Sequence, residues 1–166
     1  MRRRSKGQSL VEMALMLPLL LMILFGIVDI GYYIYGYSTI YEAARNGTEL
    51  ASKYAPFKSS LQNPSDECMA AILDETAKGA VLFPDIGNLT HITVSYPTDT
   101  RELGEPIQVS VDYYIEPLTP LFRFISFGTQ GRMHVYIAAQ RAIESMGNGP
   151  PTPGHENGTV CSGNDN

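Results

Sequence analysis

Gly7-Gln8-Ser9-Leu10-Val11-Glu12-Met13-Ala14-Leu15 is where a basic leader, Arg2, Arg3, Arg4 and Lys6, gives way to a long apolar run with a carboxylate just inside it. Insertion scales put an acidic residue at the centre of a membrane helix at about +2.5 to +3.5 kcal/mol, so Glu12 is disfavoured unless it finds a partner. A cut between Gly7 and Gln8 would create one. The new α-amino group would lie four residues before Glu12, about one helical turn away. An α-amino group ordinarily titrates at about 7.7 to 8.0, so it would be largely cationic and able to neutralise a carboxylate on its own chain or a neighbour's.

Outward from that boundary, Met13 to Val28 carries no charge, and after Asp29 a second uncharged stretch runs from Ile30 to Tyr41. Together they exceed what a bilayer of about 30 Å asks of a helix. A cleaved signal peptide fits poorly: the run is long, Glu12 interrupts its beginning and no A-x-A site follows. Tyr32, Tyr33, Tyr35, Tyr37 and Tyr41 crowd the far end, as amphipathic rings do at the headgroup zone, which puts Asp29 near the exit, where a carboxylate can reach water. The basic leader has no counterpart beyond the apolar run, so the expected topology is single-pass in a cytoplasmic (inner) membrane, with the N-terminus inside and the head periplasmic or at the cell surface.

Helical spacing continues through Tyr33, Tyr37, Tyr41, Ala44, Thr48, Ala51 and Ala55, predicting one helix from Gln8 to about Lys53, roughly 70 Å long at 1.5 Å per residue. Pro18 opens its hydrogen-bond ladder locally. Gly26, Gly31, Gly36, Ala43, Ala44 and Gly47 offer small surfaces, either for a helix of another subunit or for this chain's own sheet.

The leader ending in Gly7, the Gln8 that follows, Glu12 at the fifth position after the cut and the apolar helix resemble the prepilin-peptidase site of type IV pilins. The longer pattern Gly7 to Leu15, with Leu17-Pro18-Leu19-Leu20, Phe25-Gly26-Ile27 and Ala43-Ala44-Arg45-Asn46-Gly47, resembles the TadE-like family of pseudopilins, accessory to tight-adherence (Flp) pili. The likeness is most specific over residues 7 to 55; beyond them it rests on element order and a closing strand, Met133 to Ile143. It implies a structural accessory subunit of a type IVb (Flp/Tad) pilus assembly system, processed between Gly7 and Gln8 by a prepilin peptidase. Its N-terminal helix would meet other membrane or pilin-like subunits and the bilayer, with Glu12 pairing charge during assembly. The alternative is an uncleaved bitopic subunit that scaffolds a larger membrane complex.

The expected organisation is a basic leader over 1–7, the extended helix over 8–55, an α+β head over 56–144 and a Gly/Pro/Asn-rich tail over 145–166. Pro56 stops the first helix. A second is predicted from Asn63 as N-cap, with Pro64 at its first position, Asp66 and Glu67 in its first turn and a stripe of Met69, Ile72, Leu73 and Thr76. Alternation in Ile92-Val94-Tyr96, Ile107-Val109-Val111-Tyr113-Ile115 and Met133-Val135-Ile137-Ala139 predicts a three-stranded antiparallel meander. The link 118–127 is apolar for a loop, and Leu121, Phe122, Phe124, Ile125 and Phe127 read either as a contact for a partner or membrane surface or as a lid on the small core.

The net charge is −5; without residues 1–7 it is −9, with 8 basic against 17 acidic residues. An acidic head with no Lys/Arg cluster does not suit nucleic acid. Cys68 and Cys161 are the only cysteines, able to pair in an oxidising compartment or to remain two thiols. They lack CxxC spacing, and His91, His134 and His155 are scattered, so no metal or cofactor is expected. His91 and His134 lie on the polar phase of their strands, and Asp74-Glu75 point apart on a helix. With no nucleotide loop, G-x-S-x-G or H-E-x-x-H present, no catalytic residue is expected.

Overall fold

A computed structural model of the protein describes residues 6–80, 82–125 and 131–146, with side chains omitted at 6, 7, 84, 124 and 125. Helix α1, Lys6–Lys53, is followed by a 3-10 turn at Lys58–Ser60 and by helix α2, Glu67–Ala77. After a second 3-10 turn, Pro84–Gly87, come strands β1, Ile92–Ser95, and β2, Pro106–Ile115, the short helix α3, Pro120–Ile125, and strand β3, Met133–Ala142. The fold is α+β, with an antiparallel sheet in the order β1-β2-β3. The chain divides into two compact units: α1 up to Gly36 with Ile115–Met133, and Tyr37–Tyr114 with the chain from His134 onward.

In the second unit, α1 buries Ile40, Ala43, Ala44, Gly47, Thr48 and Ala51, spaced three and four apart so that they share one face. Small residues are needed there. A Cβ at Gly47 would lie 2.1 Å from Thr76 Oγ1 and 3.4 Å from Val109 Cγ1. Thr76 Oγ1 is itself committed, donating to the Ile72 carbonyl at 2.7 Å, so it cannot rotate away without losing that bond. Gly47→Ala is therefore expected to cost about 1–3 kcal/mol by overpacking, measured as a fall in the thermal midpoint of the full chain in detergent. An unchanged midpoint would mean that α1 and α2 part there without cost.

The α2 N-terminus differs from expectation. Asp66, not Asn63, is the N-cap: its Oδ1 accepts from the amides of Cys68 and Met69, each at 3.1 Å. Asn63 Oδ1 accepts instead from the Ser65 amide at 3.0 Å, closing the preceding turn. Both residues are good caps of similar strength, and it is Asp66 that the fold sets beside the free amides, so Pro64 lies outside the helix. The stripe Met69, Ile72, Leu73 and Thr76 is buried, with Cys68 beside it.

The β1–β2 register sets Ile92 opposite Val111 and Val94 opposite Val109, two apolar cross-strand pairs on the buried face. The connection between them turns through Asp99 (φ 54°) and Gly104 (φ 87°), the left-handed region that Asp tolerates and Gly favours. Gly104 N–H donates to the Ile143 carbonyl and Ile143 N–H to the Glu105 carbonyl, at 2.9 and 2.8 Å, while Glu144 N–H reaches Ser52 O at 2.8 Å. The end of β3 is thereby tied to the last turn of α1.

Candidate functional site

The first unit is built around the apolar part of α1. Side chains from Leu10 to Leu24 are exposed, Leu10 at 72% and Leu15 at 74%, and the helix is long and apolar enough to cross a membrane. Glu12 is exposed within this band and makes no ion pair among the described residues. Gly7 and Gln8 lie in the first turn of α1, which begins at Lys6.

Asp29 corrects the expectation of a water-reaching carboxylate, since it is 0% exposed. Its Oδ1 accepts the Thr119 backbone N–H at 2.8 Å and its Oδ2 accepts the Thr119 hydroxyl at 2.5 Å. A buried carboxylate is costly without such partners, and donors to a charged acceptor are about twice as strong as neutral pairs.

Thr119 belongs to the link expected to be a loop, which instead contains α3; Pro120 opens that helix, where its missing N–H costs nothing. This strap is held to α1 at several more points. Tyr33 donates its hydroxyl to the Gly131 carbonyl and meets Phe122 edge-on, with ring centroids 5.9 Å apart at 74°. Leu121 Cδ2 lies 3.9 Å from where a Gly26 Cβ would be. Gly131, at φ 75°, is boxed in by Phe122 and Pro117, so a side chain there would be both strained and in collision. Glu116 accepts from Arg123 at 3.4 Å and from Arg132 at 3.1 Å. Of the five link residues singled out in the sequence, Leu121 and Phe122 are thus half-buried against α1; the side chains of Phe124 and Ile125, and Phe127 altogether, lie outside the described residues.

The small residues separate by position. Ala43, Ala44 and Gly47 are buried in the second unit, Gly36 is buried in the first, and Gly31 is exposed with nothing within 4 Å of a Cβ. Cys68 is buried and disulfide-bonded; the chain's other cysteine, Cys161, lies outside the described residues.

The polar groups of the second unit form local pairs. His134 Nε2 pairs with Asp112 Oδ1 at 2.8 Å, whereas His91 Nδ1 meets the Asp112 backbone oxygen at 3.0 Å, so the imidazoles meet different atoms of one residue. Asp74 and Glu75 both face Lys78, at 3.7 and 2.6 Å. The Lys53 hydrogen bond and charge, with Arg141 behind them, hold Glu49 below its usual carboxyl range; the Glu75 hydrogen bond raises Lys78. Among the described residues no group of three His, Cys, Asp or Glu could hold a metal.

Thr119 and Gly131 were missed by sequence reasoning, and Tyr33, read there as part of the tyrosine belt, was not expected to hold the strap. The signal was Asp29 itself: an acid in an apolar helix asks for a partner as Glu12 does, and Thr119 is one of three polar residues, with Arg123 and Ser126, in the link 118–127.

No curated protein and no solved structure matches the chain. Residues 7–49 match the family model described as TadE-like protein, from the expected processing site through the exposed apolar band and into the stripe around Gly47. Over residues 7–49 the chain is therefore similar to the TadE-like proteins.

Proposed function

We propose that this is a structural, non-enzymatic accessory subunit, a pseudopilin, of a tight-adherence pilus assembly system, anchored by a single pass of α1. The observation that carries it is the coincidence of the TadE-like match with a helix whose apolar side chains are exposed around one carboxylate, Glu12. The basic leader stays in the cytoplasm, the head lies outside, and other pilin-like or membrane subunits meet the chain through α1.

A prepilin peptidase cuts between Gly7 and Gln8 in this reading. The protease needs unobstructed, extended backbone, so the first turn of α1 opens there and glycine leaves the least in its way. Protein taken from native membranes is expected to begin at Gln8, and Gly7→Ala to accumulate uncut. Edman or intact-mass analysis finding Met1 on the bulk of native protein would favour the uncleaved scaffold subunit instead.

A further inference from the structure

We propose that the strap between β2 and β3 is a second membrane contact, docking Leu118 and α3 on the lipid surface where α1 leaves the bilayer. This rests on the reading of α1 as a membrane span. The strap's contacts give its level along α1: Leu121 lies at Gly26, Thr119 at Asp29, and Phe122 and Gly131 at Tyr33. A span of about 20 residues beginning at Leu10 ends at Asp29, and one beginning at Met13 ends at Tyr32. At 1.5 Å per residue, Gly26 then lies about 5 to 9 Å inside the outer boundary. Interfacial apolar elements sit about 5–10 Å into the headgroup and acyl boundary, the same depth.

Exposure and charge agree with that occupant. Leu118, the residue before the Asp29 partner, is 65% exposed, and at the same level α1 presents exposed Ile27 and Ile30 to its surroundings. The strap thus extends the apolar band of α1 sideways. Arg123 and Arg132 are exposed and share the single carboxylate of Glu116, leaving one net positive charge for lipid phosphates. A long apolar stem with a cationic head suits that boundary. The buried Asp29 pair fixes the strap's level, so the outer leaflet is gripped twice.

The chain has no tryptophan, which allows a single-site depth probe. Full-length Leu118→Trp and the mid-span control Leu20→Trp are reconstituted in phosphatidylcholine and phosphatidylglycerol vesicles, with and without brominated phosphatidylcholine, the bromines lying in the upper acyl chains for Leu118→Trp and near the chain ends for Leu20→Trp. Both positions are exposed, so the substitutions leave the packing alone. The expected result is blue-shifted Leu118→Trp emission that loses about half its intensity in brominated lipid, as befits a ring 5–10 Å into the boundary. Leu20→Trp quenched with Leu118→Trp unquenched and emitting as in water overturns the strap proposal and leaves the span standing. Blue-shifted but unquenched Leu118→Trp overturns it in favour of a protein contact, such as a second copy. An unquenched Leu20→Trp overturns the strap and the span together.

Discussion

Glu12→Gln is expected to insert in the membrane as well as the parent chain and yet to be lost from the assembly. Glu12 stands exposed in the apolar band with no counter-charge among the described residues, so at the inner end of the span it is an unpaired acid with an insertion cost below the roughly 2.5–3.5 kcal/mol of a helix centre. Pairing with a neighbouring subunit's α-amino group removes that cost. Breaking a buried pair by removing one partner costs about 3–5 kcal/mol, because the other charge is left without compensation. At 1.4 kcal/mol per factor of ten, the assembled fraction falls by a hundredfold or more. Glu12→Ala should insert slightly better than the parent and assemble as badly. Glutamine separates charge from shape, since it keeps the size and hydrogen-bonding capacity. The measurement is the amount of tagged subunit in the membrane fraction against the amount recovered with the gently solubilised complex. A normal recovered yield for Glu12→Gln would refute recruitment by an ion pair.

The second large effect is expected at Thr119→Val. It removes the hydroxyl that reaches Asp29 Oδ2 at 2.5 Å and leaves a carboxylate that is 0% exposed with one of its two donors. A hydrogen bond to a charged group contributes about 1.5–3 kcal/mol, and an unsatisfied buried acceptor carries its own desolvation penalty, so opening of the strap should rise by tens- to a hundredfold. Trypsin reports it directly, because Arg123 and Arg132 lie on the strap and cleavage of a transiently open segment follows its open population. The double variant Asp29→Leu with Thr119→Val should recover most of the resistance, since replacing both partners by apolar groups removes the orphaned charge with the lost donor. If Thr119→Val is cut no faster than the parent, the Asp29 contact does not hold the strap.

What was legible in the chain follows local rules. The helix from the leader to Lys53, the stripe of α2, the alternation in all three strands and their meander were read from periods of 3.6 and 2, which depend only on which residues must leave water. The cost of Glu12 in an apolar run is visible without knowing any neighbour, and the structure adds that its side chain is exposed on α1. The N-cap of α2 was three residues out because Asn63 and Asp66 are both competent caps, and only the folded chain decides which oxygen reaches the amides of Cys68 and Met69.

The strap lay beyond sequence reading because it depends on contacts 90 or more residues apart in the chain, Asp29 with Thr119 and Tyr33 with Gly131. Composition marks an acid near the end of an apolar helix as able to reach water; tertiary structure brings a threonine amide and hydroxyl to it and closes water out. The same distinction holds at Gly47. Its smallness was visible in the chain, but whether another subunit or the chain's own Thr76 and Val109 would fill the space depends on how α2 and β2 pack across α1. Periodicity determines which face of an element turns inward, while the partner on that face is chosen by the shape and donors of residues far away in the chain.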